Sequence, residues 1–173
     1  RNLDEDPERL VRRNWYTLIA SYYPDAIIAD RTALESKPAE DGSVFLISAK
    51  RRDTELPGLV LRPRPGPGAL DSDRVFGGAR LASTARAYLE NLRPSRGRKD
   101  RTSRVIERGE LERRLDAMIR QQGEAGVNRL RDDARRIAPE LGYEAEADEL
   151  DNLIGSLLGT REAEMQSEIG KAR

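Results

Sequence analysis

The chain has 173 residues, 37% apolar and 36% charged, with 31 Lys and Arg balanced by 31 Asp and Glu, and it contains neither histidine nor cysteine. Without imidazole or thiol it has no Ser/His/Asp or Cys/His nucleophile pair, no zinc site built on His and Cys and no disulfide framework. Its zero net charge gives the whole chain no preference for nucleic acid or an anionic membrane, and no apolar run reaches the roughly 20 residues of a membrane helix.

Asp4 or Asp6 can cap a first helix, with Pro7 in its opening turn. Leu10, Val11, Trp15, Leu18, Ile19 and Tyr22 recur at helical spacing, predicting an amphipathic helix over 7–22 that Pro24 ends. Trp15 falls on its apolar face and reads as a core anchor. Tyr22 and Tyr23 at its end read either as packing residues with exposed hydroxyls or as an aromatic pair for a partner.

Ala26-Ile27-Ile28-Ala29 is a short apolar run, after which Asp30 is expected to cap a short helix through Leu34. Val44-Phe45-Leu46-Ile47 predicts a buried strand, and Leu59-Val60-Leu61 another, entered through Pro57-Gly58. The stretch Pro63-Arg64-Pro65-Gly66-Pro67-Gly68 is expected outside helix and sheet, as a rigid turn. Val75 to Leu81 reads as a weaker strand with a bulge at Gly77-Gly78. Ser83 or Thr84 then caps a helix carrying Ala85, Tyr88, Leu89 and Leu92. Arg86, one turn in, can anchor an ion pair inside the fold or point to a partner.

Residues 93–104 hold six basic side chains and one acidic, with no apolar residue except Pro94. This composition predicts a flexible surface loop. Arg96, Arg98, Lys99, Arg101 and Arg104 are its candidate contacts to phosphates or an acidic surface; the competing reading is a solvated linker. From Glu107 the pattern turns helical: Leu111, Leu115, Met118 and Ile119 mark one helix, Val127, Leu130, Ala134 and Ile137 a second that stops near Pro139 and Gly142, and Leu150 to Leu158 a third. Residues 144–173 carry eight acidic and three basic side chains. The chain begins at Arg1 rather than Met, so a neighbouring domain is expected just outside it.

One enzymatic reading competes. Asp25, followed by Ser48-Ala49-Lys50, partly matches the metal-dependent nuclease pattern of an acid on one strand and acid-x-Lys on the next. Ser48 stands where the second carboxylate belongs, leaving Glu40 or Asp41, in the turn before the strand, as substitutes; the enzyme reading uses Asp25, Asp41 and Lys50. A purely structural linker domain is the third alternative.

The segment Tyr22-Tyr23-Pro24-Asp25-Ala26-Ile27-Ile28-Ala29-Asp30-Arg31-Thr32-Ala33-Leu34-Glu35, together with Ala82-Ser83-Thr84-Ala85-Arg86-Ala87-Tyr88-Leu89, resembles AbiEi-type antitoxins of type IV toxin–antitoxin systems. It is also similar to the N-terminal regions of large Fic family proteins. The resemblance covers roughly residues 7–92 and implies a cytoplasmic bacterial regulatory domain that needs no cofactor. Its partner would be a toxin or a downstream nucleotidyl-transferring domain, with double-stranded DNA as a further ligand and no membrane. The expected architecture is α+β: a small mixed sheet of about four short strands with flanking helices over 1–104, a helical bundle over 105–159, and a linker or leading helix over 160–173.

Overall fold

A computed structural model describes residues 6–173, so Asp4 lies outside the described residues. The chain divides into two compact units after Val105. The fold is α+β, with a six-stranded mixed sheet where about four strands were expected.

In the first unit, α1 (Pro7–Arg13) is capped by Asp6, whose carboxylate accepts from the Glu8 N–H at 3.1 Å. The expected single helix over 7–22 is broken: α2 runs Trp15–Tyr22, and Asn14 between them leaves the helical region. The Asn14 side-chain amide donates to the Leu10 carbonyl at 3.0 Å, the local competition that disfavours Asn inside helices.

The strands are β1 (Ile27–Ile28), β2 (Ser43–Ile47), β3 (Thr54–Leu56), β4 (Leu59–Arg64), β5 (Arg74–Phe76) and β6 (Ala79–Leu81), in the spatial order β3-β4-β2-β1-β6-β5. β1 pairs antiparallel with β2 and parallel with β6, and β2 pairs parallel with β4. Two differences from expectation account for the added strands. β3 is only three residues long, and it forms a hairpin with β4 across Pro57-Gly58. Gly77 and Gly78 are a turn, both with positive φ, so Val75–Leu81 is a hairpin rather than one bulged strand.

β4 also continues through Pro63 to Arg64, into the stretch expected outside the sheet. Val60 donates to Gly42 and Arg64 accepts from Ser48, so the even-numbered residues of β4 bond β2. Pro63 faces the other way, beyond the end of β3, where no ladder N–H is required.

All five residues of β2 are buried. Val44 and Leu46 join Trp15, Ile19, Leu59 and Leu61 in the main core. Phe45 points to the opposite face by strand alternation. α3 (Asp30–Glu35) packs on β2 and on α4 (Thr84–Asn91). Ser83 caps α4, its hydroxyl accepting from the Arg86 N–H at 3.2 Å.

In the second unit, α5 (Arg108–Leu141) packs along α6 (Glu144–Lys171). Leu111, Leu115, Ile119, Val127, Leu130, Ala134 and Ile137 form the buried stripe of α5, facing Leu150, Leu153 and Ile154 of α6. The first two helices expected in this part of the chain are one, bent at a single residue: Gly123 alone leaves the helical region, at φ 72° and ψ −174°. Gly142 ends α5 in the left-handed conformation. Residues 160–171 continue α6 as helix, the second of the two forms expected for that end. Among the described residues, no helix is long and apolar enough to cross a membrane.

Candidate functional site

Three carboxyls and three guanidiniums interlock around the start of α3. Asp30, 2% exposed, sits at φ 53° at the junction of β1 and α3. It does not cap its helix as expected. Its carboxylate takes a two-pronged bond from Arg64, Nε and Nη2 each at 2.9 Å, and a third from Arg104 Nε at 2.9 Å. A short polar residue such as Asp tolerates positive φ better than most, and here the conformation turns the carboxylate towards two strand-end and loop arginines.

Glu90 of α4 closes the cluster. It accepts from the Asp30 N–H at 3.2 Å, from Arg64 at 3.3 Å and from Arg86 at 3.4 Å. Burial, and then the nearby Asp30 charge, raise its carboxyl to about 7 against the pull of Arg86 and Arg64. Arg86 is fully buried, the internal of the two roles open to it in the sequence. It bonds Asp73 at 2.6 Å and the carbonyls of Gly68 and Pro67 at 2.9 and 2.7 Å. The proline-rich turn is therefore held by two guanidiniums, since Arg64 also donates to the Pro65 carbonyl at 3.0 Å.

The 93–104 loop is anchored at its far end. The guanidinium of Arg104 lies over the Phe45 ring, 4.9 Å from its centroid, and donates to the carbonyls of Arg62 and Leu46 at 3.0 and 3.1 Å. Its own carbonyl accepts from the Arg31 N–H at 2.8 Å. Burial lowers its hold on the proton, opposed by Asp30. Thr102 N–H donates to Asp41 at 2.9 Å, and Arg101 approaches Asp53 at 3.7 Å. The flexible loop expected over 93–104 is thus stitched to the sheet from Arg101 onward. Arg104 points inward, and Arg101 is half-buried. Arg96, Arg98 and Lys99 are exposed and form no ion pair among the described residues.

Two clefts border this loop. One of about 360 Å³ is lined by Asp30, Arg64, Glu90, Arg93, Arg96 and Arg104, among others. A second of about 180 Å³ lies between Phe45, Arg62, Arg96, Arg98 and Arg101. The sequence reading missed Asp30, Arg64 and Glu90 as a cluster. The only local signal was a charged residue inside an otherwise apolar stretch, Asp30 after Ala26–Ala29 and Glu90 within the α4 apolar pattern.

Of the residues of the nuclease alternative, Asp25 and Lys50 come within electrostatic reach of each other, and Asp41 does not join them. Asp25 accepts from Ser48 Oγ at 2.7 Å and Ala49 N at 2.8 Å, and these bonds, the Ala49 one foremost, lower its carboxyl pKa. Asp41 lies at the opposite end of β2, with about 16 Å of strand between the two acids at about 3.3 Å per residue. Burial raises the Asp41 carboxyl, but N–H donors from Thr102 and Ser43 outweigh it and bring it down to about 2. Lys50 donates to the Tyr22 carbonyl at 3.1 Å. Among the described residues no three His, Cys, Asp or Glu side chains gather to hold a metal ion. No protein-family model, curated protein or solved structure matches this chain.

Proposed function

We propose that this chain is a non-catalytic, antitoxin-like regulatory module that grips an acidic or phosphate-bearing partner with its 93–104 loop. The observation supporting this reading is how the loop is built. Arg104 and Thr102 tie one end to the sheet, while Arg96, Arg98 and Lys99 project without counter-charges among the described residues. Anchoring lowers the ordering cost of binding, so the three cations meet a partner partly preorganised. Arg101 and Arg104 serve as positioning residues. The partner is a toxin or an adjoining Fic-like nucleotidyl-transferring domain, and double-stranded DNA is the further ligand.

The test is binding of labelled duplex DNA across a salt series, comparing the wild-type chain with an Arg96→Gln/Arg98→Gln/Lys99→Gln variant. Loss of three phosphate contacts is expected to make the slope of log affinity against log salt shallower by about 2.7. No binding at low salt removes DNA and leaves the protein partner. Unchanged binding in the variant removes the loop from the interface.

A further inference from the structure

A second basic surface lies on the turn between β2 and β3. Lys50, Arg51 and Arg52 follow one another there, and all three are exposed. Several other arginines of this unit are matched: Arg31 with Glu35, Arg62 with Asp53, Arg64 and Arg104 with Asp30, Arg86 with Asp73. Lys50, Arg51 and Arg52 form no ion pair among the described residues. Lys50 feels the charge of Asp25, whose oxygens are occupied by Ser48 and Ala49. The two arginines remain unneutralised.

The turn is held in shape. The buried Tyr23 donates its hydroxyl to the Arg52 carbonyl at 2.5 Å and lies 2.7 Å from Thr54 Oγ1. This corrects the expectation of an exposed Tyr23 hydroxyl. Lys50 N–H donates to Ser48 Oγ at 3.2 Å, and its ammonium reaches the Tyr22 carbonyl at 3.1 Å. Tyr22 remains 40% exposed. With Tyr23, Lys50, Arg51, Arg52 and Thr54 it lines an open hollow of about 400 Å³.

We infer that this hollow binds a nucleotide unit of single-stranded nucleic acid, with Arg51 and Arg52 on its phosphates and the Tyr22 ring as the platform for a base. Unmatched cations beside an exposed aromatic ring are the two components that single-strand binding combines. A duplex hides its base faces in its own stack and leaves Tyr22 without a role. The 93–104 loop has cations but no aromatic residue, so the two surfaces differ in the ligand they fit. Asp53, at the end of the turn, bonds Arg62 at 2.9 Å and approaches Arg101 at 3.7 Å. The turn that carries the hollow therefore meets the loop at Asp53, and this inference stands whether or not the loop binds duplex DNA.

The test is fluorescence anisotropy of the whole chain with labelled oligo-dT and, separately, a labelled duplex. The variants are Arg51→Gln/Arg52→Gln, Tyr22→Ala, Tyr22→Phe and the triple loop variant. Wild type is expected to bind oligo-dT, and the double arginine variant to lose about 1.4 from the salt slope, two single-strand phosphate contacts. Tyr22→Ala should weaken oligo-dT binding about fivefold or more, while Tyr22→Phe keeps it, because stacking needs the ring and not the hydroxyl. The triple loop variant should keep oligo-dT binding even where it loses the duplex. The inference is overturned if oligo-dT does not bind at about 50 mM salt, if Tyr22→Ala binds as wild type, or if only the loop variant loses the oligonucleotide.

Discussion

Arg104 and Asp30, 74 positions apart in the chain, meet at 2.9 Å and so join the end of the basic loop to the start of α3. The same Asp30 oxygen also receives Arg64 Nε at 2.9 Å. One buried carboxylate thus fixes both the end of β4 and the loop that leads out of the first unit.

Replacing Arg104 by Met keeps an unbranched side chain and removes the guanidinium that lies over Phe45. It leaves Asp30 buried with one guanidinium and frees the carbonyls of Leu46 and Arg62. Breaking a buried pair costs about 3–5 kcal/mol; the Arg104 side chain is 23% exposed, so about 2–3 kcal/mol is expected from urea unfolding. Trypsin should also cut after Arg98 and Lys99 faster, because the loop loses its anchor. An Arg104→Met chain with wild-type stability and wild-type cleavage would remove the anchoring role.

Arg86 has a different position and a larger expected effect. It is fully buried between Asp73 and Glu90 and holds two turn carbonyls. Arg86→Met should destabilise the first unit by about 3–5 kcal/mol, the cost of uncompensated buried charge. Arg86→Lys should recover little of this, since an ammonium cannot reproduce the planar fork that spans Asp73, Gly68 and Pro67. Recovery to near wild-type stability in the lysine variant would show that charge alone suffices.

Glu90 gives the protein a stability term that runs against the usual acid limb. Its folded carboxyl is raised from the ordinary 4.5 to about 7, so the folded state holds this proton more tightly than the unfolded chain. The contribution is full below about pH 4.5 and is lost as pH rises to about 7. Asp41 acts oppositely: lowered from 3.8 to about 2, it stabilises above pH 3.8 and loses that contribution as pH falls towards 2. Urea midpoints taken through this range should fall less between pH 4.5 and 7 in Glu90→Gln than in wild type. Parallel curves over that window would contradict the assignment.

The kink in α5 rests on one residue. A Cβ on Gly123 would meet nothing within 4 Å, so any cost of Gly123→Ala comes from the backbone, held at φ 72° and ψ −174°. That region is close to glycine-only, and about 1–3 kcal/mol of destabilisation is expected in thermal unfolding of the chain. A stabilised variant would mean that the helix straightens through this position.

Local signals were enough for much of the framework. The absence of His and Cys bounds the chemistry by composition alone. The Ser83 cap, the Gly142 stop, the apolar β2 run and the Pro57-Gly58 turn were all legible, because each depends on neighbours within a turn or strand. Three-residue β3 and the single-residue kink at Gly123 were not, since too few residues carry a period there. The fate of the arginines was equally hidden. Arg98 and Arg104 sit in the same basic run, yet one is exposed and the other lies over Phe45 against Asp30. Residue type sets what a guanidinium can bond. Which carboxylate it meets, and whether water is removed from the pair, depends on segments that the sheet brings together from 34 and 74 residues away.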